Sequence, residues 1–310
     1  MKSENTKQFQ FTVVQSGVRL DKFISGQVPD LSRTQVQKLI EDGWVTVDGN
    51  LEKASYKLGT GDTVLVKMPP PTPSHLTPEN IPVPILYEDE DILVVDKPAN
   101  LTVHPAPGHQ SHTLVHAILS HLAAVSDSIQ RPGIVHRLDK DTSGVMVIAR
   151  NSKAHENLAT QFKQHAVLKV YLTLVRGHLT PEEGVIEAAI GRDSSDRKKM
   201  AVAGDNRGRR ALTRYKVIRY LGSYTLLEVM PQTGRTHQIR VHLAAIGYPV
   251  VGDATYGVKS SLIHRQFLHA HKLGFTLPTT GKYIEFTSPL PEDLEKALKE
   301  ITQLVKVSSR

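Results

Sequence analysis

The stretch Ile134-Val135-His136-Arg137-Leu138-Asp139-Lys140-Asp141-Thr142-Ser143-Gly144-Val145 runs directly into an apolar segment, Val145-Met146-Val147-Ile148-Ala149. The first part gathers basic residues, two carboxylates, two hydroxyls and a glycine into what reads as a turn. The second reads as a strand. A charged turn at the mouth of a rigid strand is a place where chains aim reactive carboxylates: the sheet fixes the direction and the loop supplies access. Asp139 and Asp141 are the two acids available there. Thr142, Ser143 and Gly144 suit the loop itself, through local side-chain hydrogen bonds and a permissive backbone.

Outward from this junction, the periodicity predicts strands at 92–96, 144–150, 168–176, 211–219 and 224–230 and helices at 111–124, 152–165, 236–246 and 291–305. Strands neighbour one another in sequence without a regular alternation with helices. The expectation is an α+β domain around a mixed, largely antiparallel central sheet flanked by helices and loops. No glycine motif of the nucleotide-binding kind is present. Residues 85–310 form this domain, residues 69–84 a spacer with four prolines between 69 and 73, residues 11–68 a small α/β unit, and residues 1–10 a disordered tail.

The chain has 310 residues, a net charge of +7 and no cysteine. Disulfides, thiolate metal sites and cysteine nucleophiles are excluded. Residues 1–10 are polar and show no secretory pattern, and no apolar run approaches the roughly 20 residues that span a bilayer. The expectation is a cytoplasmic protein without membrane contact. A basic balance favours polyanion partners, chiefly nucleic acid. Between Arg192 and Arg219 lie ten Lys and Arg against three acids, an excess equal to that of the whole chain. With Gly204 and Gly208 among them, this window reads as a phosphate-tracking arm.

In the small unit, Leu20, Phe23 and Ile24 fit one face of a helix. Ser32-Arg33-Thr34-Gln35 is a capping-box pattern ahead of Val36, Leu39 and Ile40, Gly43 stops that helix, and Asp48-Gly49 signals a turn. Arg19, Lys22, Arg33 and Lys38 lie along the two helices. The order Arg-Leu-Asp-Lys-Phe, Ser-Arg-Thr-Gln-Val-Gln-Lys-Leu-Ile, Gly-Trp-Val-Thr-Val-Asp-Gly resembles the alpha-L (S4-like) RNA-binding module over residues 17–68. The resemblance implies that these four basic side chains meet structured RNA through its shape and phosphates.

Three segments resemble the RluA-type pseudouridine synthases, in the family's order. They are His136-Arg137-Leu138-Asp139 with Thr142-Ser143-Gly144, then Lys169-Val170-Tyr171-Leu172, and last Thr233-Gly234-Arg235-Thr236-His237-Gln238-Ile239-Arg240-Val241-His242. With the N-terminal module attached, the arrangement is similar to the RluD branch, which acts on large-subunit (23S) ribosomal RNA. The resemblance implies isomerisation of uridine to pseudouridine in RNA, with Asp139 as nucleophile, Arg240 as its ion partner and Tyr171 stacked on a flipped base. It gives Arg137 the gap left in the RNA, and Arg235 and His237 contacts to RNA. Asp139 would attack uracil C6 or ribose C1′, or help form a glycal; the residues do not choose.

The reaction needs no redox step, so no cofactor and no metal are expected, and RNA is the only obligate partner of a monomer. Other readings of the same residues are a Ser143-His136-Asp139 hydrolase, which lacks a nucleophile-elbow pattern, and zinc on His237 and His242 or His269 and His271. Ile239 and Leu243 are expected in the pocket wall. Transfer RNA as substrate, or a non-catalytic role in ribosome assembly, are the alternative functions.

Overall fold

Within the first unit, apolar residues at helical spacing and short alternating runs produce a helical pair against a small sheet. In chain order the elements are β1 (Gln8–Thr12), α1 (Leu20–Gln27), α2 (Arg33–Glu41), β2 (Val45–Val47) and β3 (Thr63–Lys67). The sheet order is β1-β3-β2. Leu20, Ile24, Val36 and Ile40 bury against Val64 and Val66. Gly43 ends α2 with φ +79°, a conformation that favours glycine, and lets the Trp44 N–H reach the Leu39 carbonyl at 2.8 Å. Asp48 and Gly49 both have positive φ, as the turn signal requires.

A computed structural model describes residues 8–28, 31, 33–69, 76–105, 110–122, 132–196, 199–204 and 207–308. The chain divides into two units, Met1–Ser74 and His75–Arg310. The expected tail of residues 1–10 is too long at its far end, because Gln8, Phe9 and Gln10 pair with Lys67, Val66 and Leu65. Residues 1–7, residues 70–75 of the proline spacer, and Ser32 of the capping box lie outside the described residues. The spacer also ends earlier than residue 84. The Glu79 N–H bonds to the His116 carbonyl, and Ile81 and Val83 pack against the core of the second unit.

The second unit contains β4 (Ile85–Glu88), β5 (Ile92–Lys97), α3 (Leu114–Ile118), β6 (Ser143–Ala149), α4 (Ser152–Lys163) and β7 (Leu168–Arg176). These are followed by β8 (Glu183–Glu187), β9 (Ile190–Arg192), β10 (Met200–Val202), β11 (Leu212–Leu221) and β12 (Tyr224–Pro231). The last elements are α5 (Gln238–Ala245), β13 (Leu268–Thr276), β14 (Tyr283–Thr287) and α6 (Glu292–Ser308). The main sheet has the order β4-β5-β6-β13-β7-β12-β11-β8, with β14 also on β13. Among the described strands of this sheet, β6 with β13 is the parallel pair and the others are antiparallel.

The unbroken apolar run of β6 is explained by burial on both faces. All seven of its residues are buried. Val145 and Val147 face Ala154 and Leu158 of α4. Met146 and Ile148 face Leu114 and Ile118 of α3. Asn151 caps α4 by accepting the Ala154 N–H at 2.9 Å. At the far end of the sheet, Val175 and Leu227 pack on Ile239 and Leu243 of α5, while Leu174 and Leu226 pack on Leu294 and Ile301 of α6.

The five expected strands form within two residues of their expected ends. Of the expected helix at 111–124, the described residues form Leu114–Ile118 and one tighter turn, Leu119–His121. The basic window does not form one arm. Arg192 and Met200 pair across the β9–β10 hairpin, whereas Arg214, Lys216 and Arg219 belong to β11 of the main sheet. There Lys216 pairs with Glu183 at 2.7 Å; Arg210, just before β11, pairs with Glu187, also at 2.7 Å. Arg197 and Lys198 lie outside the described residues.

Candidate active site

Asp139 sits in the turn before β6, and three buried contacts hold that turn. Lys97, at the end of β5, is fully buried and donates from Nζ to the carbonyls of Pro98, Leu101 and Lys140 at 2.7, 2.9 and 3.1 Å. Burial pushes its ammonium down to about 7. Arg265 donates to the Asp141 carbonyl at 3.0 Å, and Gln266 to the Thr142 hydroxyl at 3.2 Å. Gly144 follows with φ +119°, where a Cβ would collide with the Ala270 backbone. Only glycine lets β6 meet β13 this closely.

The opposite wall comes from α5 and the loop before it. Gln238 anchors that loop to β11: its Oε1 accepts from the Thr233 hydroxyl and the Arg235 N–H, and its Nε2 donates to the Leu212 carbonyl. His237 then enters α5 with a left-handed backbone, φ +56°. Such strain in a non-glycine residue persists where the surroundings enforce it. Arg240, one turn on, points across to Asp139, donating from Nη1 to Oδ2 at 2.9 Å.

Arg240 is itself held from behind. Its Nε and Nη2 donate to Asp253 Oδ2 and Oδ1 at 2.6 and 2.8 Å, the bidentate geometry that suits guanidinium. Burial works against the Arg240 charge, but the Asp253 bonds and the Asp139 field outweigh it and hold its pKa above the ordinary value. Burial likewise opposes the Asp253 charge, and the Arg240 bonds with the Thr255 and Tyr256 N–H groups hold that carboxyl below the usual range. The Tyr256 ring lies 5.1 Å from the Arg240 guanidinium carbon.

These walls enclose a pocket of about 600 Å³, in the range of small-ligand sites. Asp139, Tyr171, Lys169, Arg235, His237 and Arg240 line its polar part. Ile239 and Leu268 supply apolar wall, whereas Leu243 is a core residue of α5 and does not reach the pocket. Tyr171 comes from β7, opposite Ala270 of β13. Burial and the nearby Asp139 charge hold its phenol well above the ordinary value, so it is a neutral ring at physiological pH. Burial lowers the Lys169 ammonium to about 8. Arg137 is exposed at the pocket rim, and Arg235 donates to the Arg210 carbonyl at 3.2 Å.

The hydrolase arrangement does not assemble. Ser143 lies 3.0 Å from His269 Nδ1, and His269 Nε2 reaches the Ser288 carbonyl at 3.1 Å, so this pair ties β6, β13 and the end of β14 together. His136 stacks on Phe162 and accepts the Val147 N–H at Nε2. Burial pushes its imidazole down to about 3, which keeps it neutral. His242 spans the Thr213 hydroxyl and the Ala188 carbonyl. Among the described residues no group of three or more His, Cys, Asp or Glu is disposed to hold a metal ion.

In the first unit, Arg19 and Arg33 both turn onto Asp21, whose side chain is fully buried, and Gln37 adds a third donor at 2.8 Å. Lys22 and Lys38 are exposed. Sequence reasoning did not single out Asp21, Lys97, Asp253 or Tyr256. The available signals were a lysine closing the apolar run Ile92-Leu93-Val94-Val95 and an aspartate inside a helical apolar face.

Residues 91–245 match the family model described as RNA pseudouridylate synthase, and residues 18–64 match the S4 domain. The chain is 44% identical over 290 residues to the uncharacterized RNA pseudouridine synthase YlyB of Bacillus subtilis, covering 93% of this chain and 95% of that one. It is 41% identical to the ribosomal large subunit pseudouridine synthase D of Zymomonas mobilis, covering 95% and 97%. Among solved structures, human RNA pseudouridylate synthase domain containing 1 superposes with a TM-score of 0.56 at 30% identity, over 74% of this chain and 96% of that one.

Proposed function

As the chain belongs to the RNA pseudouridylate synthase family, and is thereby an isomerase of uridine in RNA, we propose that it acts on large-subunit ribosomal RNA with Asp139 as its nucleophile. The observation that carries the role of Asp139 is its carboxylate at the pocket wall, with Oδ2 occupied by Arg240 at 2.9 Å and Oδ1 on the other side of the group. One oxygen is fixed by its partner, and the other is left for attack. The substrate class is supported by the S4 domain and by the name of the Zymomonas relative, which aligns over nearly its whole length.

The chemistry follows from these groups. A stacked uridine is out of reach, so the nucleotide leaves the helix, and the exposed guanidinium of Arg137 fills the gap. Tyr171 offers the neutral ring on which the uracil stacks. Asp139 bonds to C1′ as the N1–C1′ bond breaks with its electron pair on the uracil, or adds to C6 before that bond breaks; the ring turns, C5 bonds to C1′, the bond to Asp139 opens with its pair returning to the carboxylate, and the C5 hydrogen leaves as a proton while N1 gains one. Nothing is oxidised or reduced.

The test is tritium release from ribosomal RNA labelled at uracil C5 and taken from cells that lack the protein. Wild type is expected to release tritium and Asp139→Ala to release none above background, with RNA binding within about three-fold of wild type. Release by Asp139→Ala at the wild-type rate overturns the role of Asp139. Release from transfer RNA and not from ribosomal RNA, whether free or in the large subunit, overturns the substrate.

A further inference from the structure

Tyr256 touches three parts of the site. Its ring lies beside Arg240, its oxygen accepts the Met200 N–H at 2.7 Å, and the same oxygen is 2.9 Å from His237 Nδ1. A phenol has one proton to donate. With Met200 already donating to the oxygen, His237 Nδ1 is the acceptor for that proton. The reverse arrangement, Nδ1–H to the phenol oxygen, leaves the Tyr256 proton without a hydrogen-bonded protein acceptor among the described residues. An imidazole that accepts at Nδ1 carries its own proton at Nε2. That Nε2 is 3.9 Å from Asp139 Oδ1, the oxygen that Arg240 does not hold.

We propose that Tyr256 is a positioning residue that locks His237 as the neutral Nε2–H tautomer, and that this N–H donates a hydrogen bond to a uracil carbonyl oxygen during isomerisation. The proposal rests on the reading of Asp139 as nucleophile. Attack at C6 places the electron pair on uracil O4, and cleavage of the N1–C1′ bond spreads it over N1, O2 and O4. Either route builds negative charge on an oxygen beside the reacting carboxylate, where a fixed donor is most effective. His237 transfers no proton in this role.

Neutrality matters as much as direction. An imidazolium at this place would pair with Asp139 Oδ1 and blunt the oxygen that must attack. The hydrogen bond from the Tyr256 hydroxyl disfavours that state by engaging the Nδ1 lone pair that a second proton would need. Burial acts in the same sense, lowering the His237 pKa against the upward pull of Asp139. The left-handed backbone at His237, φ +56°, fixes where the ring enters the pocket.

Two measurements test this. In protein labelled with ¹⁵N-histidine, the His237 resonances, identified by their loss in His237→Gln, are expected to show a protonated Nε2 and a bare Nδ1. Tyr256→Phe is expected to yield a tautomer mixture and to lower the single-turnover rate roughly 10- to 100-fold, with RNA Kd within about two-fold. His237→Gln, which keeps an N–H donor, is expected to retain at least about ten-fold more activity than His237→Phe. An Nδ1–H tautomer or an imidazolium in wild type overturns the proposal. So does a Tyr256→Phe rate within about two-fold of wild type, or equal loss in the two His237 variants. The tautomer is read without turnover. An absence of tritium release by wild type would therefore remove the isomerisation reading while leaving the tautomer lock to its own result.

Discussion

Asp253 grips Arg240 through both carboxylate oxygens, at 2.6 and 2.8 Å, and leaves one guanidinium nitrogen to meet Asp139 at 2.9 Å. The stronger hold is the one facing away from the pocket. Asp253 thus fixes the plane and angle from which Arg240 reaches forward. Asp253→Asn keeps the shape but removes a charge and one acceptor. Its single-turnover rate is expected to fall roughly 10- to 100-fold while RNA Kd stays within about two-fold. An unchanged rate would mean that Asp139 alone orients Arg240.

Lys97 closes the turn that carries Asp139, so its loss should be felt as stability and as looseness of that turn. Lys97→Met removes a fully buried donor from three carbonyls, and thermal unfolding should report a loss of about 2–4 kcal/mol. The pH dependence carries its own sign. Burial lowers the folded-state value to about 7 from 10.5. Between those values the unfolded chain holds a proton that the folded chain does not, so wild-type stability gains a rising component as pH climbs. Urea melts across that range should show the component in wild type and lack it in Lys97→Met; equal slopes in the two proteins would count against a buried, displaced lysine.

Asp21 is a buried acid held by two basic side chains, Arg19 and Arg33. Simple charge counting says that Asp21→Asn should bind RNA more tightly. The hydrogen bonds to Arg19, Arg33 and Gln37 say the opposite, because the carboxylate holds both guanidinium groups in place. The expected result is a several-fold weaker Kd for structured RNA, with about 1–3 kcal/mol lost in unfolding. The opposing cause of tighter binding would show at once in a filter-binding titration. The Asp21 carboxyl is held well below the usual range, first by Arg19. This contribution is therefore complete above about pH 4 and is lost as pH falls further.

Removal of residues 1–74 separates affinity from chemistry. The second unit carries every group of the pocket. The shortened chain is expected to bind ribosomal RNA about ten-fold or more weakly, yet to keep a rate at saturating RNA within about three-fold of the full chain. Unchanged affinity would show that the first unit contributes nothing to placement on this substrate.

What was legible in the sequence was local. Five of the seven buried residues of β6, Val145 to Ala149, announce themselves as an unbroken apolar run, and the charged turn ahead of it marks the site. The central strand β13 was not legible as such. His269, His271, Lys272 and Gly274 interrupt its apolar pattern, and each is accommodated only in the folded chain: His269 by Ser143 and Ser288, His271 by the Ser288 carbonyl, Lys272 by Glu285, and Gly274 under the Tyr283 ring. The same holds for the site. Asp139, Tyr171 and Arg240 stand in recognisable motifs, and the structure brings all three to one pocket. Lys97, Asp253 and Tyr256 act through partners distant in the chain, so their neighbours in sequence say nothing of their task. The basic window misled for a related reason: a count of charges does not distinguish a hairpin from a strand in which Lys216 already faces Glu183.

The parallel seam between β6 and β13 has a bearing on the birth of the enzyme. Its register is two residue pairs, Ser143 with His269 and Gly144 with Ala270. On one side of it stands the turn with Asp139; on the other, across β7 and β12, stands the helix with Arg240. The two residues are 101 positions apart, and the strand that aligns them follows both. A growing chain therefore holds both halves of the ion pair before it holds the strand that sets them face to face. Leu268 of that strand is also part of the pocket wall, so the pocket is complete only once β13 has been made and has joined the sheet.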